Sequence, residues 1–370
     1  MEYRVSLACI NTPHESRVHV DECLERGAVG QSIYVEKFEA AVAQYTGARY
    51  CIAVCNGTLA DAVAMAALAD AYSLRRVVIP ALTFVAQANA ARYSGLEVVW
   101  CDVSPNWTLD WSRAELLGEA MVCYADLMGR MRPIPLGPRV VEDACEAFGS
   151  ELNGVKAGRF GMLGTFSFFV SHTITTGEGG AIITDDDDLA FLCRSIRSHG
   201  RASETQPFEK FKFPLPGFNA KMSGLTAAYG LGVMAHIAEY VERRHRNWQR
   251  MNRALGGRFR TLPEEKVVPH GYPIGFDGEK TRDRAMSRLL SLGVECRKFF
   301  SCLPTMERAW AESGHQRGDF PNAEAIADRY LYVPCHQEMS EADVDFVADS
   351  VLAQSGLVND YLAEIEGIGK

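Results

Sequence analysis

Gly161–Gly180 reads GMLGTFSFFVSHTITTGEGG. Small and apolar residues lead to a hydroxyl at Ser167. A Ser171-His172 step follows, and Thr175 to Gly180 form a turn rich in glycine. The pattern predicts strands over 164–170 and 180–184, with the histidine and the turn between them. A lone histidine is ordinarily structural. His172 stands out by its company, with Ser167 five residues before it and Thr175-Thr176-Gly177-Glu178-Gly179-Gly180 after it.

Upstream, strand-like runs occur at 50–54, 76–80, 96–102, 121–124 and 139–143, separated by helical patterns that include 14–27, 34–45, 59–72 and 83–94. Such alternation predicts an α/β fold with a mostly parallel sheet and helices on both faces. Asp185–Asp188 is expected to be a solvated turn that caps the next helix. Residues 201–218, polar and then aromatic and proline-rich, suggest a loop crossing toward a partner subunit. One long helix is expected from Met222 to about Leu255, ended by Gly256-Gly257. The division expected is 1–240 for a large domain and 241–370 for a small C-terminal α+β domain. Leu289–Arg297 and Tyr330–Pro334 are expected in the core of the latter.

The chain has 370 residues, enough for a substantial core and two domains. Its net charge of −9 argues against nucleic acid as a partner, which needs a basic footprint. A few local donors can still bind a phosphorylated small molecule. The N-terminal residues do not read as a signal peptide, and no run is long and apolar enough for a membrane span. Eleven scattered cysteines, without a paired framework, suggest reduced thiols in the cytoplasm. The spacings Cys51/Cys55 and Cys296/Cys302 do not suit a metal centre.

Four candidates for one small-molecule site emerge. Asn56-Gly57-Thr58 sits between a strand and a helix, where free amides favour a phosphate, and Ser167 could add a hydroxyl. A plain helix cap is the alternative. Asp143 ends the apolar run RVVED, and a carboxylate at that end of a parallel strand points into the ligand crevice. There it could keep a pyridine nitrogen protonated and make the ring an electron sink, with Glu146 close by. Its alternative is an N-cap. Phe84, in PALTF, could lie against the ring, or be ordinary core. His172 could move a proton near neutral pH. Together these suit pyridoxal or pyridoxamine phosphate.

In order, NGT, PALTF, EDACEAFG, SFFVSHTITTGEGG, RSHG and PGFN resemble the motifs of the DegT/DnrJ/StrS family of sugar aminotransferases, across most of residues 27–235. The resemblance implies a fold type I, aspartate aminotransferase-like domain, a homodimer with shared active sites and a nucleotide-linked keto sugar as substrate. It implies that Gly57, Thr58 and Ser167 hold the cofactor phosphate and that Phe84 stacks on the ring. Asp143 would pair with the ring nitrogen, with Glu146 near it, and Asn219 would reach the phosphate from the other subunit.

One position departs. The family's aminotransferases carry a lysine, which bonds the cofactor aldehyde, where this chain has His172. None of its nine lysines has a comparable context. That exchange is a feature of the family's 3-dehydratases. FKFPLPGFN and GVECR resemble the kind that acts on GDP-4-keto-6-deoxy-D-mannose, and the cysteine spacing does not fit the iron–sulfur kind. The implied reaction joins pyridoxamine phosphate to the C4 ketone, with His172 as acid and base for loss of the C3 hydroxyl. A 4-keto-3-deoxy sugar and ammonia would be released, and glutamate would restore the amine. The alternatives are an aminotransferase with an atypical histidine and a catalytically silent cofactor- or sugar-binding regulator.

Overall fold

The computed structural model describes residues 3–10, 12–105, 107–112, 118–132, 134, 139–203, 206, 208, 211–257, 265–300 and 303–358. Lys210, Lys370 and Cys302 lie outside them. The central sheet is built from β1 (Tyr50–Val54), β2 (Arg76–Pro80), β3 (Glu97–Cys101), β4 (Met121–Ala125), β5 (Val140–Asp143), β8 (Leu163–Ser167) and β9 (Gly180–Thr184). Between β5 and β8 lies the short hairpin β6 (Glu151–Leu152) and β7 (Val155–Lys156). The order across the sheet is β1-β9-β8-β5-β4-β2-β3. Neighbours from β8 to β3 are parallel, and β9 pairs antiparallel with both β1 and β8. β9 alone is therefore reversed, and the connection from β8, residues 168–179, forms no helix of the kind that makes a parallel crossover.

Helices α1 (His14–Glu25), α2 (Ile33–Thr46), α3 (Gly57–Tyr72), α4 (Val85–Tyr93) and α5 (Asp187–Arg197) precede α6 (Gly224–Met234) and α7 (Ile237–Ala254). Asp186 caps α5 by accepting from the amides of Asp188 and Leu189, as expected of the acidic run. Two expectations need correction. The strand expected over 164–170 stops at Ser167, so His172 lies in the turn and not at the strand's end. The single long helix is two, broken at Ala235-His236. The first is apolar on most sides and packs against α1 and α2, while the second is amphipathic. One continuous helix could not seat both faces.

Beyond α7, β10 (Glu265–Lys266) pairs with β6. A four-stranded antiparallel sheet then forms from β11 (Tyr272–Phe276), β12 (Arg297–Lys298), β13 (Tyr330–Val333) and β14 (Leu357–Val358), ordered β12-β13-β11-β14. It packs with α8 (Glu279–Ser291), and α9 (Pro321–Arg329) and α10 (Glu341–Leu352) complete the C-terminal part. The largest apolar core runs without interruption from Ile52 in the central sheet to Val351 in α10. Trp107 bridges the two sheets, its ring 4.9 Å from Phe299 and 5.0 Å from Tyr330.

Close backbone packing holds β8 in place. A Cβ added at Gly164 would lie 2.1 Å from the carbonyl oxygen of Gly158. Gly164→Ala is therefore expected to cost about 1–3 kcal/mol in a denaturant titration. An unchanged midpoint would show that the Gly158 turn does not press on this strand.

Candidate active site

Two adjoining cavities open at the carboxyl ends of β4, β5 and β8, where a parallel sheet presents its ligand crevice. The inner one, about 320 Å³, is lined by Gly57, Thr58, Phe84, Asp143, Glu146, Ser167 and His172 among others. The outer one, about 640 Å³, shares Phe84, Glu146 and His172 and adds residues of the C-terminal part. Seven of the eight candidates from the sequence thus meet in one place. Asn219 does not line either cavity. It is exposed, bridges to Ser198 in the chain and accepts from Lys221 Nζ at 2.6 Å.

At one end of the inner cavity is the start of α3. Asn56 caps the helix by accepting from the amide of Leu59 at 2.9 Å, which leaves the amides of Gly57 and Thr58 for a ligand. Gly57 is pressed so close to β8 that a Cβ there would stand 2.7 Å from Ser167 Cβ. The tight approach brings the Ser167 hydroxyl to the helix start, and makes a cradle suited to a phosphate. Gly57→Ala should push these two apart and weaken pyridoxamine phosphate binding about tenfold. A spectrophotometric titration giving the parent's affinity would remove the start of α3 from the phosphate site.

At the other end Asp143 is buried. Its carboxylate accepts from Gln87 Nε2 at 3.0 Å and from the amide of Cys145 at 3.1 Å. Thr83 orients Gln87 by donating to its Oε1 at 2.6 Å. Behind it lies Asp61, which accepts from Thr165 Oγ1 at 2.6 Å. Burial raises the pKa of both acids, and Asp143 raises that of Asp61 further. No cation among the described residues pairs with Asp143, so the site lacks one positive charge. A protonated ring nitrogen would supply that charge, and the residues present fit a pyridoxal-type cofactor.

Phe84 is 62% exposed and lines both cavities, which excludes the ordinary-core alternative. Glu146 accepts from the amide of Met128 at 2.8 Å, and burial lifts its pKa to about 7, with Asp143 adding to the rise. Below that pH the side chain is neutral, and above it is a carboxylate. Catalysis should therefore show an inflection near pH 7 that Glu146→Gln abolishes. The same inflection in the variant would assign it to another group.

His172 is half-buried and faces both cavities. The protein around it, and secondarily the charge of Arg244, push its pKa down to about 3, so the imidazole is neutral at physiological pH. Its Nδ1 has no hydrogen-bond partner among the described residues. Sequence reasoning missed Asp61, Gln87, Arg244 and His270. Asp61 had one faint signal, an acid within the apolar start of α3. Arg244 had a clearer one. It falls on the α7 stripe formed by Ile237, Tyr240, Val241, Trp248 and Met251, where a charge needs an explanation.

The sequence profile of the DegT/DnrJ/EryC1/StrS aminotransferase family matches residues 12–352. The chain belongs to that family. A GDP-perosamine synthase of Caulobacter vibrioides is 33% identical over 93% of this chain and 96% of its own. A GDP-4-keto-6-deoxy-D-mannose 3-dehydratase of Yersinia pseudotuberculosis is 27% identical over 83% and 88%. Among solved structures, an aminotransferase of the family from Brucella abortus superposes with a TM-score of 0.81 at 25% identity, covering 91% of this chain and 94% of that one. The Escherichia coli 3-dehydratase structure, with bound hydrated pyridoxal phosphate, gives 0.83 at 22% identity over 95% and 100%. The fold expected from the sequence, a pyridoxal-type sugar-aminotransferase fold with a largely parallel sheet, is the fold observed. A putative sugar aminotransferase from Streptococcus pneumoniae, solved in its pyridoxamine phosphate form, superposes with a TM-score of 0.84 at 16% identity over 94% of this chain and 98% of that one.

Proposed function

We propose that this enzyme removes the C3 hydroxyl of a nucleotide-linked 4-keto-6-deoxy sugar, GDP-4-keto-6-deoxy-D-mannose being the preferred candidate. The observation that carries the reading is the imidazole of His172 inside a cavity otherwise furnished for the cofactor. No lysine among the described residues lines the inner cavity. Lys298 lines the outer one, and its ammonium is held by Asp283 at 3.0 Å.

Gly57, Thr58 and Ser167 would hold the phosphate, Asp143 the ring nitrogen, and Phe84 one face of the ring. Bound as the amine, the cofactor would supply a nitrogen for the C4 ketone and an electron sink. His172 cannot bond the aldehyde stably, but its neutral ring can take up a proton. An imidazolium seated there is a strong acid and gives the proton up readily. The proton gained by His172 is the one that the departing hydroxyl needs. Glutamate would restore the amine afterwards. Asn219 of a second copy would complete the phosphate site of a homodimer, because it faces away from the cavity of its own chain.

A second reading is transfer of nitrogen to the sugar, favoured by the 33% identity to the perosamine synthase. A third, binding without catalysis, is favoured by a 28% identical relative from Geobacillus stearothermophilus named as a pleiotropic regulatory protein. Mass spectrometry of products from GDP-4-keto-6-deoxy-D-mannose, pyridoxamine phosphate and glutamate separates the three. The expected result is a 3-deoxy sugar with ammonia. An amino sugar would establish the second reading, and unchanged substrate across a panel of nucleotide sugars the third. His172→Asn should slow water loss by about 10²–10⁴-fold. Parent-like turnover in that variant would remove His172 from the chemistry.

A further inference from the structure

The outer cavity holds a second imidazole. His270, just before β11, lines only that cavity, whereas His172 faces both. Their ring centroids are 5.0 Å apart, with the planes tilted by 48°. In each ring Nδ1 is buried and has no hydrogen-bond partner among the described residues. Other histidines of the chain are tied down. His245 Nδ1 lies 2.9 Å from the carbonyl of Val267, and His336 Nε2 lies 3.1 Å from that of Ser6. The pair near the cavities is placed but not engaged.

Its placement has a visible cause. Arg244, buried in α7, donates from Nη2 to the carbonyl of His172 at 3.0 Å and from Nη1 to that of Pro269 at 2.7 Å. One guanidinium thus fixes the backbone of His172 and the residue before His270. Tyr332, whose ring is 5.9 Å from His270, backs the second imidazole from β13.

We propose that His270 is a second catalytic residue, which takes the proton gained by His172 and delivers it to the C3 oxygen of the sugar. The proposal rests on the dehydration reading and divides its proton movement between two rings. With the cofactor amine joined to the sugar, His172 would take the proton of the C–H bond beside that amine, and the electron pair of that bond would move toward the sugar. The C3–O bond breaks with its pair on oxygen. The proton passes from His172 to His270 and then to that oxygen, which leaves as water, and no external oxidant or reductant is consumed.

The surrounding charges suit a relay that is emptied after each use. Burial above all disfavours a resting proton on His270, and a proton on His172 and the guanidiniums of Arg244 and Arg297 add to this. Glu146 and Tyr332 are the other titratable groups nearby on the cavity wall, with Lys298 and Glu307 further along it.

The test uses His270→Asn and His270→Gln in the full chain. The first readout is exchange of the methylene protons of pyridoxamine phosphate with deuterium oxide in the presence of the keto sugar nucleotide, beside water loss from the sugar. Expected is exchange within about threefold of the parent and water loss slower by about 100-fold or more. Retained exchange also shows that the variant is folded. The second readout needs no cofactor. Calorimetry of the cofactor-free protein compares GDP-6-deoxy-D-mannose with its 3-deoxy counterpart. Loss of His270 should weaken the first about 3- to 10-fold and leave the second unchanged.

Parent-like water loss in both variants overturns the proposal and leaves the dehydration reading standing. Loss of exchange and water loss together, at an unchanged melting midpoint, also overturns it. If the parent makes an amino sugar, the dehydration reading falls, and the relay to C3 falls with it. The calorimetric arm then still decides whether His270 contacts the C3 hydroxyl.

Discussion

The guanidinium of Arg244 is the joint on which the site depends. It is fully buried and satisfied by three uncharged acceptors: the carbonyls of His172 and Pro269, and Gln337 Oε1 at 2.7 Å. A buried cation without a carboxylate partner is costly unless its donors are all used in good geometry. The cost is offset only when the turn after β8, the segment before β11 and the stretch after β13 are all in place. The arginine therefore makes the position of His172 conditional on the C-terminal part of the chain. Near the same ring, its charge helps to keep the imidazole neutral.

A complementary arrangement exists on the acidic side. Asp61, Asp126, Glu142 and Asp143 are buried around the ends of β4 and β5, and Glu146 is half-buried beside them. Glu142 is spent on structure, since its carboxylate accepts from the amides of Gly158, Phe160 and Gly161. Asp143 accepts from two donors, the Gln87 side chain and the amide of Cys145, and lines the cavity. Adjacent residues on one strand point to opposite sides of the sheet, and that alternation separates the structural acid from the one left for a ligand.

The sheet was legible because apolar runs and turns alternate along the first half of the chain, and seven strands formed within a few residues of their expected places. The meeting of Gly57, Thr58 and Ser167 at one cavity was legible too, from a glycine between a strand and a helix. What escaped was set by packing between distant segments. Val267-Val268-Pro269-His270 carries no periodic pattern, and its histidine gains meaning only from a ring about a hundred residues earlier. Gln87 reads as an ordinary helix residue until β5 brings Asp143 to it. The break between α6 and α7 has no proline or glycine at Ala235-His236, so nothing local announced it.

Overall likeness and local chemistry speak to different questions in this chain. Identity spread over some 360 positions measures how well the scaffold is kept as a whole. The choice between keeping nitrogen on the sugar and expelling oxygen from it rests on what a single side chain can hold. A lysine amine both bonds the cofactor aldehyde and returns a proton to carbon. An imidazole with a depressed pKa forms no such bond and can only carry a proton, which it releases readily to a nearby base. A second imidazole, His270, lies 5.0 Å away on the wall of the outer cavity, and on the proposed reading it would carry that proton toward the hydroxyl and away from carbon.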